Sequence, residues 1–266
     1  MGLLVDNGLE QSTREIYRNA IRALGESGID LLVGGAYAFE WYTGIARNTK
    51  DFDIFLRQQD LEPALERLAD AGFRTKMLFP HWLGKAYAGD EFIDLIYGAG
   101  NGIALVDDQW FEHAVVGEVL GIPVTLCPPE EMIWSKAFIM ERERFDGADV
   151  AHLIKACGRT LDWNRLLARF APFPRLLLAH LILFGFIYPD LRDNIPEEVM
   201  DGLLVELRRD PAPSPGEKIC FGTLLSRAQY IADIGRCGYK DARLQPIGTM
   251  SPEDVAYWTA MIQGET

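Results

Sequence analysis

The sequence predicts an α+β chain, with a mixed-sheet domain over residues 1–127 followed by a helical domain over residues 128–266. Three observations predict it. Short apolar runs of strand length alternate with amphipathic helical stretches and tight turns as far as Leu126, the pattern of a sheet with helices packed on it. Pro128-Pro129 then breaks the chain, because proline lacks a backbone donor and restricts the residue before it. Beyond the break nearly every segment has the 3.6-residue period of a helix. At 48% hydrophobic and 24% charged residues the chain can bury a core, which excludes wholesale disorder.

The elements follow in order. Residues 12–25 carry Ile16, Ala20, Ile21 and Leu24 at helical spacing, with Ser12 or Thr13 as the expected cap and Gly28 as the stop. Residues 31–33 form a short strand, Gly34-Gly35 punctuates it, and residues 36–42 form a helix. Residues 52–56 are a strand, and 60–71 an amphipathic helix ending at Gly72. Residues 73–77, 82–88 and 91–97 are strands, the last two joined by Gly89-Asp90. Residues 115–120 and 122–126 form a hairpin through Gly121. The second half predicts helices over 130–144, 148–157, 163–170, 175–187, 197–208, 223–234 and 252–262, with a stiff proline-rich linker at 210–216. No fixed-period repeat or low-complexity tract is present. The longest apolar run, 176–188, is interrupted by His180 and bracketed by Pro174 and Pro189. A membrane span needs about 20 apolar residues, so this run is expected to be a buried core helix and no membrane partner is expected.

Charge and cysteines exclude other classes. With 26 basic and 39 acidic residues the net charge is −13, which disfavours non-specific wrapping of duplex nucleic acid. Cys127, Cys157, Cys220 and Cys237 form no C-x-x-C pair, so neither a zinc knuckle nor a redox motif is indicated. Asp6 stands where a myristoylation signal needs Ser or Thr. Without dense disulfides or a signal peptide, a cytoplasmic location is expected. Nothing in the sequence specifies an oligomeric state.

The stretch that carries chemistry is 31–56. On a strand, residues i and i+2 share a face, so Asp51 and Asp53 project together while Phe52 and Ile54 face the core. Two like charges so close are costly unless neutralised. Hard oxygen donors without neighbouring Cys or paired His suit Mg²⁺ or Mn²⁺ better than zinc. By itself D-x-D is a weak signal, since surface strands often alternate acids with apolar residues. Gly34-Gly35 before a helix lets a backbone approach closely and offers free N–H donors to a phosphate; alone, it reads as an ordinary tight turn. Asp94 lies in the apolar run Phe92-Ile93-Asp94-Leu95-Ile96. A carboxylate there needs a cation partner, unless it sits on an edge strand and faces water. Lys85, on the strand before Asp94, is not expected to reach the cleft.

Together and in this order, Gly34-Gly35-Ala36, Arg47-Asn48-Thr49-Lys50-Asp51-Phe52-Asp53 and Phe92-Ile93-Asp94 resemble the DNA polymerase β-like nucleotidyltransferase superfamily. The resemblance is nearest to the AbiEii-type toxins and to the small antibiotic nucleotidyltransferases for lincosamides and aminoglycosides. It covers residues 29–97 well. A weaker extension over 128–153 places Lys136, then Asp146 and Asp149, where AbiEii-type sequences have a helical lysine followed by a D-x-x-D helix. Many members have Gly-Ser after the first strand; the Gly-Gly of this chain lacks that hydroxyl and leaves its task to backbone N–H groups.

The resemblance implies a metal-dependent transfer of a nucleoside monophosphate from an NTP to a hydroxyl. Asp51, Asp53 and Asp94 would be the catalytic and metal-binding residues, with Mg²⁺ or Mn²⁺ as cofactor and Asp94 as the base. Gly34, Gly35, Arg47, Thr49 and Lys136 would contact the nucleotide, and Asp149 would join them. Arg47 has the alternative of pairing with a nearby acid, and Asp149 that of pairing with Arg142 or Arg144 on a helix face. The acceptor is expected to be a small molecule, a tRNA end or a protein side chain. The rival reading is a nucleotide-binding regulator without turnover, one component of a toxin–antitoxin or defence system; a third is an interaction protein whose acids merely solvate a strand. Residues 136–175 are basic in an otherwise acidic chain and include Arg165 and Arg169 four residues apart. They read first as a solvated helix face and second as a frame for a polyanion beside the active site.

Overall fold

The computed structural model describes residues 10–47, 49, 51–209 and 218–260; the linker at 210–216 and the N-terminal positions around Asp6 lie outside the described residues. Contacts divide the chain into two compact units. One takes the chain to Gly100 together with Ala104–Pro128, and the other takes Asn101–Ile103 and everything from Pro129 on.

In the first unit, helix α1 (Gln11–Gly25) buries Tyr17, Ala20, Ile21 and Leu24 on one face. Neither Ser12 nor Thr13 caps it: the cap position is Glu10, and Thr13 instead donates to Glu91 Oε1 at 2.9 Å. Then come β1 (Leu32–Val33), α2 (Gly35–Thr43), β2 (Asp51–Phe55), α3 (Leu61–Asp70), β3 (Arg74–Phe79), β4 (Leu83–Ala88), β5 (Glu91–Ile96), α4 (Asp108–Glu112), β6 (Val115–Val119) and β7 (Ile122–Leu126). The seven strands form one sheet in the order β3-β4-β5-β2-β1-β7-β6. Pairs β2–β5 and β1–β7 are parallel, and the rest are antiparallel. This is the mixed sheet that the sequence predicts. The alternation in β2 decides its faces: Phe52 and Ile54 are fully buried and Asp51, Asp53 and Phe55 are not. Phe52 stacks on Tyr17 at 5.0 Å and packs on Tyr37 at 4.9 Å. Burying such a ring contributes about 1.5–3 kcal/mol and pins the strand that carries both aspartates.

The second unit is mainly helical: α5 (Pro129–Ala137), α6 (Gly147–Cys157), α7 (Trp163–Arg169), α8 (Pro174–Ile187), α9 (Glu197–Arg209), α10 (Ile231–Cys237) and α11 (Pro252–Ala260), with a two-residue parallel pair β8 (Ile219–Cys220) and β9 (Lys240–Asp241). It departs from the sequence reading in three places. The helix expected over 130–144 stops at Ala137, because the chain turns back on itself in a bridge between Met140 and Phe145. The helix expected over 223–234 is a 3₁₀ turn, Phe221–Leu224, followed by α10. There Ser226 accepts the N–H of Ala228 and of Gln229 and donates to the Glu141 carboxylate, a local bonding pattern that competes with a helix. The run 176–188 is helical but not a wholly buried core helix. Leu177, Leu178, His180, Leu181 and Phe184 are buried, whereas Phe186 is 81% exposed and Ile182 55%. Among the described residues, no helix is long and apolar enough to cross a membrane.

His180 sits buried on α8 and donates its Nε2–H to the Ala137 carbonyl at 2.9 Å. Burial holds its pKa below the ordinary histidine value, with the carbonyl pulling partly the other way. An unfolded histidine takes up a proton near about pH 6.5; folded His180 does so only at lower pH. The unfolded state therefore binds more protons below that value, and stability falls as the pH drops. Urea midpoints measured from pH 7 down to 5 are expected to decline, and to decline less steeply in His180→Gln; equal slopes would remove His180 as the cause.

Candidate catalytic carboxylate site

Strand β2 points Asp51 and Asp53 away from the core, on the face opposite Phe52 and Ile54. Strand β5 runs parallel beside it with Asp94 opposite Asp53 in register. One carboxylate oxygen from each of Asp51, Asp53 and Asp94 lies within 4.8 Å of the others. Three like charges at that spacing repel strongly unless cations or hydrogen-bond donors intervene. Thr49 and Lys85 are such groups among the described residues. Thr49 Oγ1 donates to the Asp51 carboxylate and accepts the Asp51 N–H at 3.4 Å. Lys85 Nζ lies 2.8 Å from Asp94 Oδ1 and 3.8 Å above the Phe92 ring. Burial pushes the Asp94 pKa above the ordinary carboxylate value; Lys85 opposes the rise and the Asp51 charge adds to it.

Lys85 was expected to stay out of the cleft, and the register corrects that expectation. A two-residue turn at Gly89-Asp90 pairs Ala88 with Glu91, and counting back along the antiparallel ladder pairs Lys85 with Asp94. Residues opposite each other on such a ladder put their side chains on the same face, so the signal was present in the turn length.

The glycine pair has a structural duty that the sequence does not reveal. Gly35 has φ +53°, and a Cβ there would stand 1.7 Å from Asp53 Oδ2. A Cβ on Gly34 would stand 2.4 Å from the Phe55 ring and 3.1 Å from Cys127 Sγ. What first comes close to this backbone is the carboxylate of Asp53. Gly35→Ala is therefore expected to combine a left-handed backbone penalty of about 1–2 kcal/mol with displacement of Asp53. A lower urea midpoint together with lost Mn²⁺ binding would show it, and a variant that binds Mn²⁺ as the wild type does would refute it.

The remaining expected site residues fall in two places. Arg47 lies in the first unit with its guanidinium 4.2 Å over the Phe39 ring. Lys136 and Asp149 lie in the second unit and pair with each other, Nζ to Oδ2 at 2.7 Å. Lys136 also meets Asp146 at 3.2 Å, and Arg144 grips Asp146 with two bonds of 3.0 and 2.9 Å. Burial works against the charged Asp146, but Arg144 and Lys136 outweigh it and hold its carboxyl below the usual range.

No family model and no curated protein matches the chain. Solved structures do. The antibiotic-resistance factor ANT(2'')-Ia is 18% identical, with 64% of this chain and 96% of that chain covered, at a TM-score of 0.47. The lincosamide antibiotic adenylyltransferase LnuA, solved with lincomycin bound, is 12% identical over 55% of this chain and 96% of that one, at 0.39. A tRNA-processing enzyme is 14% identical over 97% of this chain and 80% of that one, at 0.33. All three scores lie below one half, so the chemistry of the site has to come from its own residues.

Proposed function

We propose that the chain is a metal-dependent nucleotidyltransferase that moves a nucleoside monophosphate from an NTP to an acceptor hydroxyl and releases pyrophosphate. The observation that carries this reading is the convergence of Asp51, Asp53 and Asp94 from two neighbouring strands on one face, with oxygens within 4.8 Å. An all-oxygen, all-anionic donor set fits a hard divalent cation. Asp51 and Asp53 would hold Mg²⁺ or Mn²⁺, with Asp94 completing the set. Bound there, the cation would screen the triphosphate and favour ionisation of the acceptor hydroxyl.

The chain's own residues do the rest. Asp94 takes the proton of the acceptor hydroxyl at its carboxylate as the oxygen attacks the α-phosphorus, and its raised pKa suits it to hold that proton. Gly34 and Gly35 open α2, whose N-terminal N–H groups are donors suited to phosphate oxygens. Thr49 holds the Asp51 carboxylate in place through its hydroxyl. Arg47 supplies a cationic contact to the nucleotide, while Lys136 is held by Asp149 and Asp146 within the second unit. The acceptor is read as a small molecule. Of the basic residues in 136–175, Arg165 and Arg169 are spent on buried glutamates, and Lys136 and Arg144 on aspartates. That leaves less positive surface for a polyanion than the sequence alone suggests.

The test is transfer of label from each α-³²P-labelled NTP with Mg²⁺ or Mn²⁺, offered to a small-molecule extract, to total tRNA and to the protein itself. Label that reaches a small molecule and disappears in Asp51→Ala/Asp53→Ala supports the reading. Label on tRNA or on the protein would keep the reaction and change the acceptor. Metal-dependent NTP binding without transfer would point to a regulator without turnover, and no binding at all would overturn the metal site.

A further inference from the structure

We propose that Lys85 is a resident counter-ion of the carboxylate site, which a divalent cation must compete with for Asp94, and that Lys85 thereby sets how tightly the site holds metal. The proposal rests on the reading of Asp51, Asp53 and Asp94 as a metal centre.

Three observations carry it. The β4–β5 register puts Lys85 opposite Asp94, on the sheet face that Asp94 shares with Asp51 and Asp53. The ammonium is held at two points, by Asp94 Oδ1 at 2.8 Å and by the Phe92 ring at 3.8 Å, with its side chain only 17% exposed. On its other side the ladder places Lys76, a like charge that adds no competing partner. Among the described residues, Lys85 is thus a cation in direct contact with one carboxylate of the cluster of three. The Lys85 charge makes the site less anionic than its three carboxylates alone would be.

A cation bound among those oxygens would lie within several ångströms of the ammonium and be repelled by it. Lysine carries its charge on a flexible four-carbon stem and is a compact point charge, so it can lean away from Asp94 when a stronger cation arrives. In its absence the same ammonium keeps a buried carboxylate from standing unpaired.

The experiment is a Mn²⁺ titration of the whole protein, followed by electron paramagnetic resonance of the free ion, on wild type, Lys85→Met, Lys85→Arg and Asp51→Asn/Asp53→Asn. Removing a unit charge a few ångströms from a divalent ion is expected to tighten Mn²⁺ binding about tenfold in Lys85→Met. Lys85→Arg, which keeps the charge, should stay within about twofold of the wild type by the same argument. A purely structural lysine predicts the opposite sign, because losing it would let the Asp94 carboxylate shift out of position and weaken binding. Lys85→Gln carries the same expectation as Lys85→Met and serves if that variant does not fold. Mn²⁺ binding lost in the double aspartate variant but unchanged or weaker in Lys85→Met and Lys85→Gln would overturn the role of Lys85 and leave the metal centre standing. A wild type that binds no Mn²⁺ would overturn both.

Discussion

Asp53→Asn is expected to lower nucleotidyl transfer by about a thousandfold while the protein keeps its fold. Asp53 is central to the site. It faces Asp94 across the β2–β5 pair, and its carboxylate fills the space that a side chain on Gly35 would need. Asparagine has nearly the same shape, so that space stays filled and the neighbouring Phe52 and Ile54 remain in the core. What changes is charge: one of three anionic oxygens is gone. A metal site contributes several kcal/mol of transition-state charge stabilisation, and each 1.36 kcal/mol is a factor of ten in rate, which together give about three decades. Stability without metal should hold or rise slightly, because one of three crowded like charges has been removed. The measurements are kcat/KM for transfer and the urea midpoint in EDTA. Transfer within tenfold of the wild type would mean that the three carboxylates are not the reaction centre; a collapsed midpoint would mean that Asp53 acts in folding.

The site's carboxylates were legible in the sequence because a strand's two-residue period is local information. The run Asp51-Phe52-Asp53-Ile54 specifies its own faces, and the apolar neighbours of Asp94 mark it as a strand residue in need of a partner. The partner was legible too, through the two-residue turn at Gly89-Asp90, but only by counting along the ladder to Lys85. What the sequence hid depends on contacts between distant segments. Gly35 reads as a turn or a phosphate site until the position of Asp53 shows which group needs the missing Cβ. The end of α5 at Ala137 depends on the chain folding back between Met140 and Phe145, a tertiary choice that helix propensity does not anticipate. Arg165 and Arg169 have the spacing of a solvated helix face. Their partners, Glu130 and Glu131, lie on another helix more than thirty residues away, and charge patterning within one helix cannot reveal them.

That hidden cluster yields the largest expected effect on stability. Glu130 and Glu131 are 3% and 0% exposed. Arg165 reaches both Glu131 oxygens from one guanidinium nitrogen and Glu130 from another. Arg169 adds a bond of 3.2 Å to Glu131 and lies 4.9 Å over the Trp134 ring. Glu130 also accepts the Asp162 N–H at 2.7 Å, and Asp162 caps α7 by accepting the Arg165 N–H at 3.0 Å. The cluster thus ties α5 to the first turn of α7. Arg165→Ala would leave Glu130 without its cation in a buried place and Glu131 with Arg169 alone, a loss of about 3–5 kcal/mol from a total stability of about 5–15 kcal/mol. Arg142→Ala is the matched control, because Arg142 and Glu143 pair on the surface with both side chains 83% exposed, and such pairs contribute about 0–1 kcal/mol. Urea unfolding should separate the two variants clearly. Pairing Arg165→Met with Glu130→Gln and Glu131→Gln should recover part of the loss, since the penalty comes from stranded charge more than from a missing attraction. An Arg165→Ala protein as stable as Arg142→Ala would mean that α5 and α7 are held by the packing of Ile133, Leu166 and their neighbours instead.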